Sequence, residues 1–260
     1  MHGKFPAILE DEIIGKEATK LYHDAQTLLQ QVIAENWLQA EAVFGIWQTT
    51  PTQEDSVILK DTSTTLHFLR QQIQKADGQA NLCLSDFISP ITEDYIGAFA
   101  VTIKGIEPHL KKFDAAHDDY NKIMLQALAD RLAEAFTECV HKKVRTEYWG
   151  YATEESLSNE ELIKEQYQGI RPAPGYPACP DHTEKIKLFS LLDAEKEISL
   201  QLTESLAMYP ASSVCGWYFA HPASKYFGIG KIETDQLEDY AQRKGMDLAE
   251  AERWLRPVLD

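Results

Sequence analysis

No stretch of this chain approaches the roughly 20 apolar residues needed to cross a bilayer. The amino end, MHGKFPAILEDEIIGKE, lacks the basic region and apolar block of a signal peptide. Both absences point to a soluble cytoplasmic protein. Cysteine is sparse: Cys83, Cys139, Cys179 and Cys215 stand far apart and never form CxxC. A chain of 260 residues needs no disulfide staples, so these read as reduced thiols. The eight histidines include no HExxH pair, and the four cysteines no CxxC, which argues against a metal held by this chain alone. Basic residues are outnumbered, 25 to 41, and the formal charge of −16 repels phosphate backbones and anionic lipid. Nucleic acid and membrane are therefore set aside as partners.

Nucleotide and hydrolase motifs are missing too. GIGK at 228–231 hints at a phosphate loop, but Ile232 stands where serine or threonine belongs, and Glu233 occupies the third glycine place of a dinucleotide pattern. A strand with small residues for close packing is the simpler reading. There is no GxSxG for a serine hydrolase.

Hydrophobic residues make up 44% of the chain, enough for a sizeable core. Leu21, Ala25, Leu28, Leu29 and Ile33 recur at three- and four-residue steps, the mark of an amphipathic helix. AVFGIW and SVILK read as strands joined by QTTPTQED; ANLCLSDFI and YIGAFAVTI read as further strands, and TLHFLRQQIQ as a short helix. Residues 118–148 contain no proline or glycine, open with acids and end with bases, as the helix dipole favours. This should be the central helix, burying Ile123, Leu128, Leu132, Ala135, Phe136 and Val140. Ser158 or Asn159 caps a helix in LSNEELIKEQY, and TEKIKLFSLLD is helical. ISLQLTES is extended, SVCGWYFAHPASKYFGIGKI suggests two strands around AHPAS, and TDQLEDYAQRKG and DLAEAERWL are closing helices. With no repeat or linker, the pattern predicts one α+β domain with a mostly antiparallel twisted sheet, a long central helix and peripheral helices.

Two features stand out from this frame. Asp130, Glu134, Glu138 and His141 follow one another at helical steps along the central helix. Like charges one turn apart destabilise a helix slightly, and spacing alone favours a solvated face over a polar site on a rigid support. The second feature is RPAPGYPACPDHTEK at 171–185, where Pro172, Pro174, Pro177 and Pro180 bias Arg171, Ala173, Tyr176 and Cys179 to extended backbone. Gly175 permits a tight turn or a close ligand, and Arg171 offers a planar charged fork suited to a carboxylate. A rigid crossover sealing one core edge competes with a preorganised ligand loop.

The string GIRPAPGYPACPDHTEK, with LTESLAMYPASSVCGWYFAHPASKYFGIGKIETDQLEDYAQRKGM and AERWL, closely resembles the S-adenosylmethionine-binding activation domain of cobalamin-dependent methionine synthase. The likeness extends to KFPAILEDEIIG, HFLRQQ, CLSDFISP, YIGAFAV and the whole central helix. It implies that residues 1–260 form an activation domain without the segment that precedes KFPAILEDE in the family, whose DW-type motif supplies an aspartate to the ligand's amino group. Such domains present S-adenosylmethionine to oxidised cob(II)alamin while a flavodoxin or flavoprotein reductase supplies an electron. Methylcobalamin forms, and the methyltransferase re-enters its cycle. By position, Arg171 would pair with the ligand carboxylate, the main chain at Ala173 and Gly175 would line the ligand's path, and Glu134 would face the ligand. Tyr226 and Phe227 would pack near the adenine. Tyr176 and Asp130 would face the cobalamin module, a separate module absent from this chain that binds the cobalamin. The domain would position and desolvate the ligand, with no catalytic acid or base and no turnover alone. A docking module for the cobalamin domain and the flavoprotein that holds the nucleotide weakly is the alternative. An independent methyltransferase is disfavoured by the missing glycine-rich nucleotide loop.

Overall fold

A central strand that is covered on both faces must be apolar along its whole length, and YIGAFAVTI meets that requirement. The computed structural model describes residues 5–260; residues 1–4, part of the amino end considered for a signal peptide, lie outside them. Seven strands are present among the described residues: β1 Gln39–Pro51, β2 Ser56–Leu59, β3 Thr65–His67, β4 Asp94–Lys104, β5 Gln201–Leu202, β6 Met208–Tyr209 and β7 Ser213–Tyr218. Eight helices accompany them: α1 Gly15–Ala34, α2 Ile106–Ala115, α3 Asp119–Lys143, α4 Asn159–Ile163, α5 Glu184–Leu192, α6 Ala194–Ile198, α7 Thr234–Lys244 and α8 Leu248–Leu255. The main sheet runs β3-β2-β1-β4-β7 with every neighbour antiparallel, and β5 and β6 form a separate small hairpin.

Alternate residues of β4 feed two cores. Ile96, Ala98 and Ala100 pack with Trp217, Leu188 and Leu192 beneath α5, whereas Phe99 and Val101 meet Val140 and Val144 on the α3 side. Ile103 continues that second face with Met124, Leu125, Ala129 and Ala133 of α3. The α+β domain with an antiparallel sheet and a long central helix is thus as expected from sequence.

α3 is turned from the expected orientation. Its buried side comprises Met124, Leu125, Ala129, Ala133, Thr137, Val140 and His141, while Ile123 is 64% exposed. Small residues let a helix approach a sheet closely, so the alanines face β4 and the larger Leu128, Leu132 and Phe136 pack at the flanks. The rotation carries the polar stripe from solvent at Asp130 and Glu134 inward to half-buried Glu138 and buried His141. Asp118 caps the helix by accepting from Asn121 N at 3.0 Å, and Ser158 caps α4 in a reciprocal box with Glu161.

Three local expectations give way to tertiary contacts. TLHFLRQQIQ is β3 followed by extended chain, because Leu66 and Phe68 enter the core under α5 while Leu69 enters a third core with α7 and α8. ANLCLSDFI contains a 3-10 turn, Leu84–Phe87, closed by the Asp86 carboxylate accepting from Cys83 N at 2.8 Å. Only SVCGWY, the start of SVCGWYFAHPASKYFGIGKI, is a strand, β7; the GIGK segment is irregular. The edge of β7 is instead paired with the start of the proline loop. Ile170 and Phe219 exchange backbone hydrogen bonds of 3.0 Å each, and Trp217 N donates to Pro172 O at 2.9 Å. Gly216 permits this approach, since a β-carbon there would lie 2.8 Å from Pro172 O.

Beneath the loop lies a buried ionic cluster. Asp181, 2% exposed, accepts from Thr183 N at 2.7 Å and Tyr240 Oη at 2.8 Å and pairs with Lys244, which also meets buried Glu184 at 2.8 Å. Burial pushes Asp181 up, but Lys244 and these hydrogen bonds outweigh it and hold the carboxyl below its ordinary value. A carboxyl depressed in the folded state adds stability that is complete above its unfolded pKa near 3.8 and fades as pH falls through the folded value. Asp181→Asn is therefore expected to lower urea stability at pH 6, with the gap to wild type narrowing below pH 4. A gap independent of pH over that window would contradict this.

Candidate functional site

The four loop prolines divide the stretch into an inner and an outer part. Pro172, Pro174, Ala178 and Cys179 are buried, and the last two join the core under α5, whereas Gly175, Tyr176 and Pro177 are exposed. The loop therefore seals a core edge, as one sequence-based reading expects, and also presents an exposed outer turn. Its turn is closed by backbone bonds from Gly175 N to Cys179 O at 2.7 Å and from Cys179 N to Tyr176 O at 2.9 Å. Ile229 N donates to Pro177 O at 2.9 Å, tying the outer part to the irregular chain after β7. Gly175 adopts φ +93°, and a β-carbon would sit 2.2 Å from His182 Cε1, so no other residue fits there undisturbed.

Between this loop and α3 lies a cavity of about 600 Å³, within the range of small-molecule sites. Glu134 contributes the helix wall, Phe99 and Val214 the sheet floor, and Tyr226, Phe227 and Gly228 the opposite side; the loop supplies Arg171 through Ala173 and Tyr176 through Ala178. Of the expected ligand residues, Glu134, Arg171, Ala173, Tyr176, Tyr226 and Phe227 all line it, and Gly175 does not. Tyr176 is 63% exposed at the mouth. Asp130 lies one turn from Glu134, outside the lining, accepting from Ser212 Oγ at 2.7 Å.

Arg171 is held from several sides. Its Nη1 donates to Tyr167 Oη at 2.6 Å and to His141 Nδ1 at 3.1 Å, its Nη2 pairs with Glu138 at 2.8 Å, and its backbone N donates to Tyr226 Oη at 3.0 Å. Burial, with Arg145 and Arg171 nearby, holds the His141 pKa well below its ordinary value, so the ring is neutral. Because Nδ1 accepts, the network assigns the ring proton to Nε2. His141 lies flat on Tyr218, centroids 4.9 Å apart and planes 8° apart. Behind Glu138 stands Arg145, fully buried, 3.6 Å from that carboxylate and bidentate to Glu155 at 2.7 and 2.8 Å. Its guanidinium rests 4.1 Å from the Tyr167 ring centroid. A π-turn, Val144–Tyr148, ends α3 and sets Arg145 in this position.

Sequence reasoning did not assign Glu165, Phe99 or Val214 to the cavity, nor Tyr167 and Arg145 to the network. Glu138 and His141 had a signal, their place in the polar stripe, which spacing alone could not orient. Glu165 adopts φ +54°, a conformation that no local pattern announces.

Fold and cavity together define an α+β domain with a ligand-sized cavity between a proline-stiffened loop and its central helix. The chain belongs to the family described as vitamin B12 dependent methionine synthase, activation domain, which it matches over residues 1–245. Among solved structures it is similar to a crystal structure of the MetH reactivation domain bound to AdoHcy. That likeness has a TM-score of 0.94 and 52% identity, and covers 100% of this chain and 82% of the other. No helix among the described residues is long and apolar enough to cross a membrane.

Proposed function

We propose that the cavity binds S-adenosylmethionine and that the domain presents its methyl group to the cobalamin of a partner module, reactivating a methionine synthase. The observation that carries this reading is the convergence of Arg171, Glu134, Tyr226 and Phe227 on one cavity in a chain 52% identical to a domain with AdoHcy bound. S-adenosylmethionine has a carboxylate, an ammonium, a cationic sulfonium and a flat base. Arg171 takes the carboxylate; Tyr226, Phe227 and Phe99 give the base an apolar wall. Since Arg171 is already matched by Glu138, the carboxylates left on the cavity wall are Glu134 and Glu165, and these favour a cationic centre. Cobalamin, held elsewhere, supplies the methyl acceptor when bound. The chain's own contribution is orientation and exclusion of water, and its stiff loop loses little entropy on binding. Tyr176 at the mouth and Asp130, one turn from Glu134 on α3, face the incoming cobalamin module in this reading, and a flavodoxin or flavoprotein reductase supplies the electron.

Calorimetric titration with S-adenosylmethionine and with AdoHcy tests the reading, saturable one-to-one binding being expected for both. Absence of binding by either ligand contradicts it and leaves a docking role alone. Glu165→Gln is expected to weaken the sulfonium ligand by about fivefold while leaving the uncharged thioether nearly unchanged, on the scale of an exposed ion pair. Equal weakening of both would remove Glu165 from sulfonium recognition, since the ammonium is common to the two ligands.

A further inference from the structure

We infer that Tyr167 and His141 are positioning residues for the carboxylate fork of Arg171, an inference that rests on the function just proposed. A guanidinium carries five N–H donors in a fixed plane. Tyr167 Oη and His141 Nδ1 both accept from Nη1, and Glu138 forms an ion pair with Nη2 at 2.8 Å. The Nε–H makes no hydrogen bond among the described residues, and with the neighbouring Nη2 it forms the edge able to grip a carboxylate from the cavity that Arg171 lines. Two hydrogen bonds on Nη1 and an ion pair on Nη2 hold the orientation of a side chain that would otherwise sample many rotamers. The acceptors are well suited to the task. A neutral imidazole and a phenol hold the guanidinium without adding anions to compete with a ligand carboxylate, and their titration is suppressed by burial.

His141 is in a costly place for a polar side chain. It is fully buried, and its Nε2 has no hydrogen-bond partner among the described residues. Its one side-chain hydrogen bond among those residues is to Arg171. An apolar ring could make the same stacked and edge-on contacts with Tyr218 and Tyr167 without burying an unpartnered nitrogen. What the imidazole adds is an acceptor aimed at Arg171. Tyr167 similarly combines a ring on which Arg145 rests with a hydroxyl directed at Arg171.

The test compares two probes, S-adenosylmethionine and its decarboxylated analogue, which lacks only the group that the fork would hold. Tyr167→Phe, which keeps the ring, and His141→Leu are each expected to lower affinity for S-adenosylmethionine about tenfold and to change the analogue by less than about twofold. His141→Asn, whose Oδ1 stands where Nδ1 stood, is expected to restore most of the loss. Thermal denaturation checks that each variant folds, and Tyr167→Phe removes too little to abolish folding. If wild type binds S-adenosylmethionine but the variants lose both ligands equally, or neither, the positioning role is overturned and the proposed function stands. If wild type binds neither ligand, the proposed function itself fails and this inference falls with it.

Discussion

Arg171→Ala is expected to lower affinity for S-adenosylmethionine about 100-fold, the upper end for a charge-assisted hydrogen-bonded pair. The loss should be specific, because the domain does not depend on Arg171 for its core. Glu138 retains Arg145 at 3.6 Å, and the loop retains its backbone bonds to β7 through Pro172 O and Ile170. Arg171→Lys is the informative companion. It keeps the charge but replaces a planar fork by a single ammonium, which cannot satisfy Tyr167, His141 and Glu138 together and still meet a carboxylate. Affinity between those of alanine and wild type would assign the difference to fork geometry. Calorimetry gives both affinities, and far-UV circular dichroism establishes that the fold is kept. Wild-type affinity in Arg171→Ala would contradict the assigned role.

The second large effect is on stability. Arg145→Met is expected to destabilise the domain by about 3–5 kcal/mol, the range for removing one partner of a buried ion pair. Two carboxylates depend on this guanidinium: Glu155, whose side chain is 6% exposed, and Glu138. Losing it strands Glu155 in a low-dielectric setting and leaves the partly exposed Glu138 with Arg171 alone. For a chain of 260 residues this corresponds to roughly 10 °C in the unfolding midpoint. Arg145→Met with Glu155→Met should recover part of the loss, since replacing a whole buried pair by apolar groups is far milder than breaking it. A single variant within 1 °C of wild type would show that the cluster is not a structural support. Ligand affinity serves as a second readout, because Arg145 also backs Glu138 and Tyr167, which hold Arg171.

Much of this architecture is legible in the sequence where local pattern and tertiary packing agree. YIGAFAVTI is a strand because both its faces are covered, and α3 is a helix because 25 residues without glycine or proline leave no better option. TLHFLRQQIQ misleads because its helical spacing is overridden by two separate cores that draw Leu66 and Phe68 one way and Leu69 the other. The rotation of α3 is hidden for a similar reason. Counting large apolar residues points to Ile123 and Phe136, whereas close approach to β4 selects Ala129 and Ala133. That rotation decides the site. It turns Glu138 and His141 toward Arg171, and so converts a stripe that looks solvated into one whose inner end is buried. Glu165 and Tyr167 carry no local signal at all, since only the path of the chain from α4 into the proline loop brings them to the cavity and to Arg171.

The most direct test of the central claim is a crystal structure of the domain soaked with AdoHcy. The expected result is ligand density in the cavity between 171–178 and α3, its carboxylate on the free edge of Arg171 and its base against Tyr226 and Phe227. Ligand density elsewhere on the molecule, or an empty cavity at saturating AdoHcy, would contradict the assignment.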